Sequence, residues 1–90
     1  MAQEILAGAG NVETPAYLVL RSFGYEVTCQ RDTEGHETWS AVKPDLKLLG
    51  DSPLQLLGLH GLRQQRGHDW KASDAEIDAF LRRYYPGASG

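Results

Sequence analysis

With a single cysteine, Cys29, the chain cannot build an internal disulfide framework, and a reducing, cytoplasmic, intracellular setting is the expectation. It has no apolar run near the ~20 residues a membrane span needs. The opening MAQEILAGAGN lacks a basic stretch followed by an apolar core, so it does not read as a secretory signal. Basic charge is scarce: nine Lys and Arg stand against twelve Asp and Glu. Residues 1–50 carry four of the former and seven of the latter, which disfavours a broad nucleic-acid footprint. No HExxH, paired CxxC, glycine-rich phosphate loop or GxSxG is present, so neither an enzyme nor a cofactor or metal site is expected. Cys29 falls in the apolar register of a strand and reads as an inert core thiol; His36, His60 and His68 have no diagnostic spacing.

What is present is one domain's worth of ordinary globular sequence, with 41% hydrophobic and 23% charged residues. A chain of this size buries roughly 64% of its unfolded surface, which leaves little room for an internal cofactor cavity. Residues 1–10 are small and glycine-bearing and read as a flexible arm, residues 11–86 as the domain, and residues 87–90 as a flexible tail.

The spacing predicts an α+β fold. Thr14-Pro15 reads as N-cap and first helical residue, and Ala16, Val19, Leu20 and Phe23 follow at i, i+3, i+4, i+7. Gly24 stands where a C′ glycine would end the helix. Tyr25, Val27 and Cys29 alternate with polar residues, and Thr38 to Lys43 is rich in strand formers. Asp32-Thr33-Glu34-Gly35 supplies the turn between them, and Leu46 to Leu48 suggests a short third strand. Two capping boxes, Ser52-Pro53-Leu54-Gln55 and Ser73-Asp74-Ala75-Glu76, start two C-terminal helices. The last helix sets Ile77, Phe80, Leu81 and Tyr84 on one stripe. The expected architecture is an N-terminal helix, an antiparallel meander of two or three strands, and two C-terminal helices packed on the sheet.

The second helix carries the sharpest clue. SPLQLLGLHGLRQQR contains five leucines that do not share one face. At about 100° per residue, Leu54, Leu57 and Leu62 form a stripe with Gly58 and Gly61. Leu56 and Leu59 point the other way, into the sector of His60, Arg63 and Arg66. The glycines on the first stripe suggest close approach of another backbone, the last helix being the natural candidate. Leu56 and Leu59 then either pack under the sheet or the first helix, or form an apolar centre with an arginine rim, as a partner interface does.

Placed on their helices, Arg63, Arg66, Arg82 and Arg83 fall in last turns and Asp74, Glu76 and Asp78 in first turns, as dipole complementarity predicts. A helix-turn-helix is disfavoured: the connection Gly67 to Ser73 is long, and a recognition helix would present three carboxylates to DNA. In the loop Gly67-His68-Asp69-Trp70-Lys71, Trp70 reads either as a lid on the core or as an anchor for a ligand or partner. The expected function is a small non-enzymatic protein-interaction domain of adaptor or inhibitor type. Its partner would be another protein or a second copy of the chain, bound through Leu56, Leu59, His60, Arg63, Arg66, His68 and Trp70. The alternative is a ligand- or nucleic-acid-binding module that uses the Gly67–Lys71 loop and the nearby arginines.

Overall fold

The computed structural model describes residues 2–8 and 10–87. Three helices and three strands follow in the order α1 (Glu13–Ser22), β1 (Glu26–Arg31), β2 (Glu37–Lys43), β3 (Leu46–Gly50), α2 (Pro53–Arg66) and α3 (Asp74–Tyr84). The class and element order expected from the sequence hold, and the meander has three strands. Residues 2–8 form neither helix nor strand and are exposed. Beyond Gly87 the expected tail lies outside the described residues.

The strands form one antiparallel sheet in the order β1-β2-β3. Asp32 builds the first turn: its Oδ1 accepts from the backbone N–H of Glu34 and of His36, and Gly35 takes a φ of 87°. Those N–H donors, His36 first, hold the Asp32 carboxyl below its ordinary pKa. The second turn needs only Pro44-Asp45, since Lys43 pairs directly with Leu46.

One face of the sheet is covered and the other is open. Tyr25 just before β1, with Ala41 and Leu48, is buried beneath α1 and α2, and half-buried Val27, Trp39 and Leu46 extend this layer. Thr28, Ser40 and Leu49 lie in one row on the outer face, where Thr28 Oγ1 and Ser40 Oγ are 2.6 Å apart. Cys29 is exposed, so it is not the core thiol its register suggested. It stands opposite Trp39, two pairs from the turn end of the hairpin.

The first helix begins two residues before the expected Pro15 start, at Glu13, with Val12 rather than Thr14 at the N-cap and no capping side chain. It buries Ala16 and Leu20, and Gly24 follows with the positive φ of 92° that a C′ glycine supplies. Glu13 is used elsewhere: its Oε1 accepts the Leu54 N–H at 2.9 Å, one of the orphan donors at the start of α2. Ser52 Oγ accepts from Gln55 N–H, while Gln55 Oε1 reaches back one residue past the cap, to the N–H of Asp51.

Of the two readings of Leu56 and Leu59, packing in the core is the one the fold shows, while the glycine-bearing stripe is not the packed face expected. Leu56 is fully buried, with half-buried Leu57 and Leu59 packed against the same core. Leu54 is 45% exposed and Leu62 41%. An added Cβ at Gly58 or Gly61 would meet nothing within 4 Å, so neither glycine serves a close helix contact. The close approach is at Gly50, where a Cβ would stand 2.6 Å from Gln55 Oε1 and 3.3 Å from Leu56 Cδ2.

The last helix departs from the expected packing on the sheet: α3 has no buried residue. The radius of gyration is 16.3 Å, against about 12 Å for a compact chain of ninety residues. The core unit is α1, the sheet and α2, and α3 buries no residue against it.

Candidate functional site: the exposed face of the last helix

Of the residues expected at a partner surface, the structure brings Leu59, Arg63 and Trp70 to one cleft and takes Leu56 out of reach. Leu56 belongs to the core, and Leu59 packs against it. His60 lies between α1 and the sheet. Its ring stacks on Phe23, with centroids 4.4 Å apart, and its Nδ1 is 2.7 Å from Tyr25 Oη. Burial, with the Lys43 ammonium as a second cause, holds the His60 pKa below its ordinary value. Burial raises the Tyr25 pKa, with Asp45 adding to it and Arg63 opposing. Both shifts favour the neutral form, in keeping with a phenol–imidazole hydrogen bond.

The arginines are also engaged. Arg63 Nη2 lies 3.2 Å from His68 Nε2. Arg66 donates from Nε to the Trp70 carbonyl at 2.9 Å and from Nη2 to Glu76 Oε1 at 3.2 Å. Trp70 is half-buried and, with Leu59, Arg63 and residues Leu46 to Leu49, lines a cleft of about 360 Å³. The loop 67–71 therefore spends Arg66 on its own geometry. His68 and Arg66 are the members of the set left exposed.

Local sequence explains how α3 is set. Gly67 ends α2 with a φ of 78°, a backbone conformation that glycine adopts without strain. Ser73 Oγ accepts from Glu76 N–H at 3.2 Å, and Glu76 Oε1 accepts from Ser73 N–H at 2.8 Å, a complete capping box. The Ser73 N–H, followed by the Arg66 charge, lowers the Glu76 pKa. Arg66 thus joins the end of α2, the loop carbonyl and the start of α3 through one guanidinium.

Downstream of this anchor, the apolar stripe of α3 is bare. Ile77 is 44% exposed, Phe80 54%, Tyr84 62% and the adjoining Tyr85 54%. The Phe80 ring is 5.2 Å from that of Tyr84 and 6.2 Å from that of Tyr85, centroid to centroid. Leu81 is half-buried. Sequence reasoning found this stripe but assigned it to packing on the sheet.

A second concavity, of about 610 Å³, lies between the starts of α1, α2 and β2. Tyr17 and Trp39 contribute rings, and Glu13, Glu37 and Asp51 contribute carboxylates. Glu13 is committed to Leu54 N–H, and Glu37 is committed to Arg31 and to Trp39 Nε1. Arg31 is the first cause of the low Glu37 pKa. Among the described residues no group of three His, Cys, Asp or Glu is placed to hold a metal ion, and no helix is long and apolar enough to cross a membrane. Comparison with known protein families, curated protein sequences and solved structures gave no match.

Proposed function

We propose that this chain is a protein-interaction domain in which residues 13–66 form the scaffold and α3 presents the docking face. The observation that carries this reading is the stripe Ile77, Phe80 and Tyr84, regularly spaced on a capped helix and left uncovered by the rest of the fold. An 11-residue helix is marginal in water without a packed face, so a bare amphipathic helix is incomplete as a folding unit. Docked on a partner, its aromatic side chains supply the residue types that dominate interface energetics. The surface thereby moves from the Leu56–Leu59 sector of α2 to α3.

The test is the double substitution Ile77→Asp with Phe80→Asp. If the stripe is a docking face, unfolding free energy stays within about 0.5 kcal/mol of the parent, as for other surface changes, while association through α3 is lost. A loss of 2 kcal/mol or more, the order seen for core residues, would show that the stripe is internal and sink the reading.

A further inference from the structure

We propose that the cleft between β3, the end of α2 and the loop after it binds a small apolar carboxylate, a free acid of roughly eight carbons held by Arg63. This site is separate from the docking face on α3 and does not depend on it.

The lining carries the inference. Leu46, Leu48 and Leu49 come from β3, Leu59 from α2 and Trp70 from the loop. Leu46, Leu48 and Leu59 also belong to the core or pack against it, so the cleft opens onto the core's own apolar layer. The two other lining residues, Lys47 and Arg63, are both basic. Among the described residues no carboxylate lines the cleft.

Arg63 is the group left incomplete. It follows Leu59 at i+4, one turn further along the same face of α2. It is half-buried, and charged side chains withdrawn from water are normally paired. Among the described residues the ion pairs use Arg31, His36 and Arg66, and none uses Arg63 or Lys47. Asp45 and Asp69 each precede a lining residue in sequence, yet neither forms an ion pair with Arg63. What Arg63 does meet is the His68 ring, with Nη2 3.2 Å from Nε2. A guanidinium only donates, so the ring nitrogen in that contact accepts and brings no negative charge.

A carboxylate supplies what this arrangement lacks. Its two oxygens accept side by side from the planar fork of an arginine, and Lys47 adds a second positive charge to the same cleft. Its apolar body covers the leucines and the Trp70 indole. An amide of the same chain lacks the charge, and an alkylammonium brings the wrong sign. The volume sets the size. At the ~30 Å³ that a water-sized group occupies, a cleft of about 360 Å³ holds about twelve non-hydrogen atoms, and an acid of roughly eight carbons fits within it.

Titration of octanoate into the full chain, followed by proton–nitrogen NMR, reads the site. The Trp70 indole N–H and the backbone signals of Leu59 and Arg63 shift saturably, with a Kd between about 0.1 and 1 mM. The Trp39 indole, which lines the other concavity, stays still and serves as the internal reference. Each buried methylene is worth about fourfold in affinity, so hexanoate binds about fifteenfold more weakly than octanoate. Octanamide and octylammonium bind weaker than octanoate by about tenfold or more. Arg63→Gln weakens octanoate by about tenfold to a hundredfold and leaves octanamide unchanged. Circular dichroism shows whether that variant keeps its fold; if it does not, octanoate against octanamide on the parent chain decides the matter alone. Octanamide binding as tightly as octanoate overturns the proposal, and so do shifts at Trp39 without shifts at Trp70. The absence of saturable shifts up to about 10 mM octanoate overturns it as well. Acetyl-glycyl-leucine offers the same groups as the end of a peptide chain. If it binds more tightly than octanoate, the occupant is a chain terminus and the free-acid assignment falls.

Discussion

Replacing Gly58 and Gly61 by alanine tests the central structural claim, that α3 does not lie back across α2. Neither glycine has a positive φ, and an added methyl at either site meets open space. Both lie inside a continuous helix, Pro53–Arg66. Under those conditions only the backbone term acts, and alanine is favoured over glycine by about 0.8–1.0 kcal/mol per site. The double variant should gain about 2 kcal/mol. Urea unfolding of a chain this small has a slope near ~1 kcal/mol/M, so the midpoint moves up by about 1.5–2 M. Fluorescence of Trp39 and Trp70, read beside far-ultraviolet circular dichroism, follows the transition in both layers of the fold. Gly50→Ala is the matched control, since its methyl collides with Gln55 Oε1 and presses on Leu56. It should cost about 1–3 kcal/mol, the range for overpacking a filled site. Destabilisation by the Gly58 and Gly61 changes would refute the reasoning. It would mean that another backbone covers the glycine side of α2, and the last helix is the element with the reach to do so.

Two further outcomes follow from the core. Leu56→Ala should cost about 3–5 kcal/mol, a large part of the stability of so small a domain, whereas Leu54→Ala and Leu62→Ala should each cost less than about 1 kcal/mol; equal costs across the three leucines, measured by urea unfolding, would contradict the orientation of α2. The His60 pKa is lowered in the fold, so between the ordinary value near 6.5 and the folded value the unfolded chain binds more protons, and stability falls as pH drops below about 6.5. Asp32, Glu37 and Glu76, also held low, lose their contributions only at more acid pH. Unfolding series at pH 7 and pH 5 should therefore show a loss that His60→Gln largely removes, and a parent whose stability is flat or rises on acidification would refute the burial of that ring.

Local signals in the chain were strong enough to specify its elements. Ser52, Ser73, Gly24, Gly35 and Pro53 mark boundaries through short-range chemistry, and each acts in the fold as that chemistry dictates. The face that α2 buries was not legible in the same way. His60 and Arg63 looked like a polar side, yet the His60 ring is stacked on Phe23 and hydrogen-bonded to Tyr25. A polar head whose bond is supplied from 35 residues away in sequence can be covered, and no helical wheel contains that bond. The glycines misled for a related reason. Glycine permits close approach without requiring it, and here the approach occurs at Gly50, at the end of a strand.

The period of the α3 stripe is the same whether the core or a second molecule covers it, so periodicity cannot tell the two apart. What separates them is the connection. Gly67 ends α2 at a positive φ, and Arg66 then fixes the following segment by holding the Trp70 carbonyl and Glu76 together. That guanidinium stabilises the start of α3 and leaves its aromatic end unsupported. A helix held only at its first turn gains most from a partner at its last turns, where Tyr84 and Tyr85 lie. Covering those rings lengthens the ordered helix at the same time as it buries apolar surface. Folding of α3 and occupation of its face are therefore one coupled equilibrium, in which the strength of the capping box sets how much of the helix is ready before anything binds.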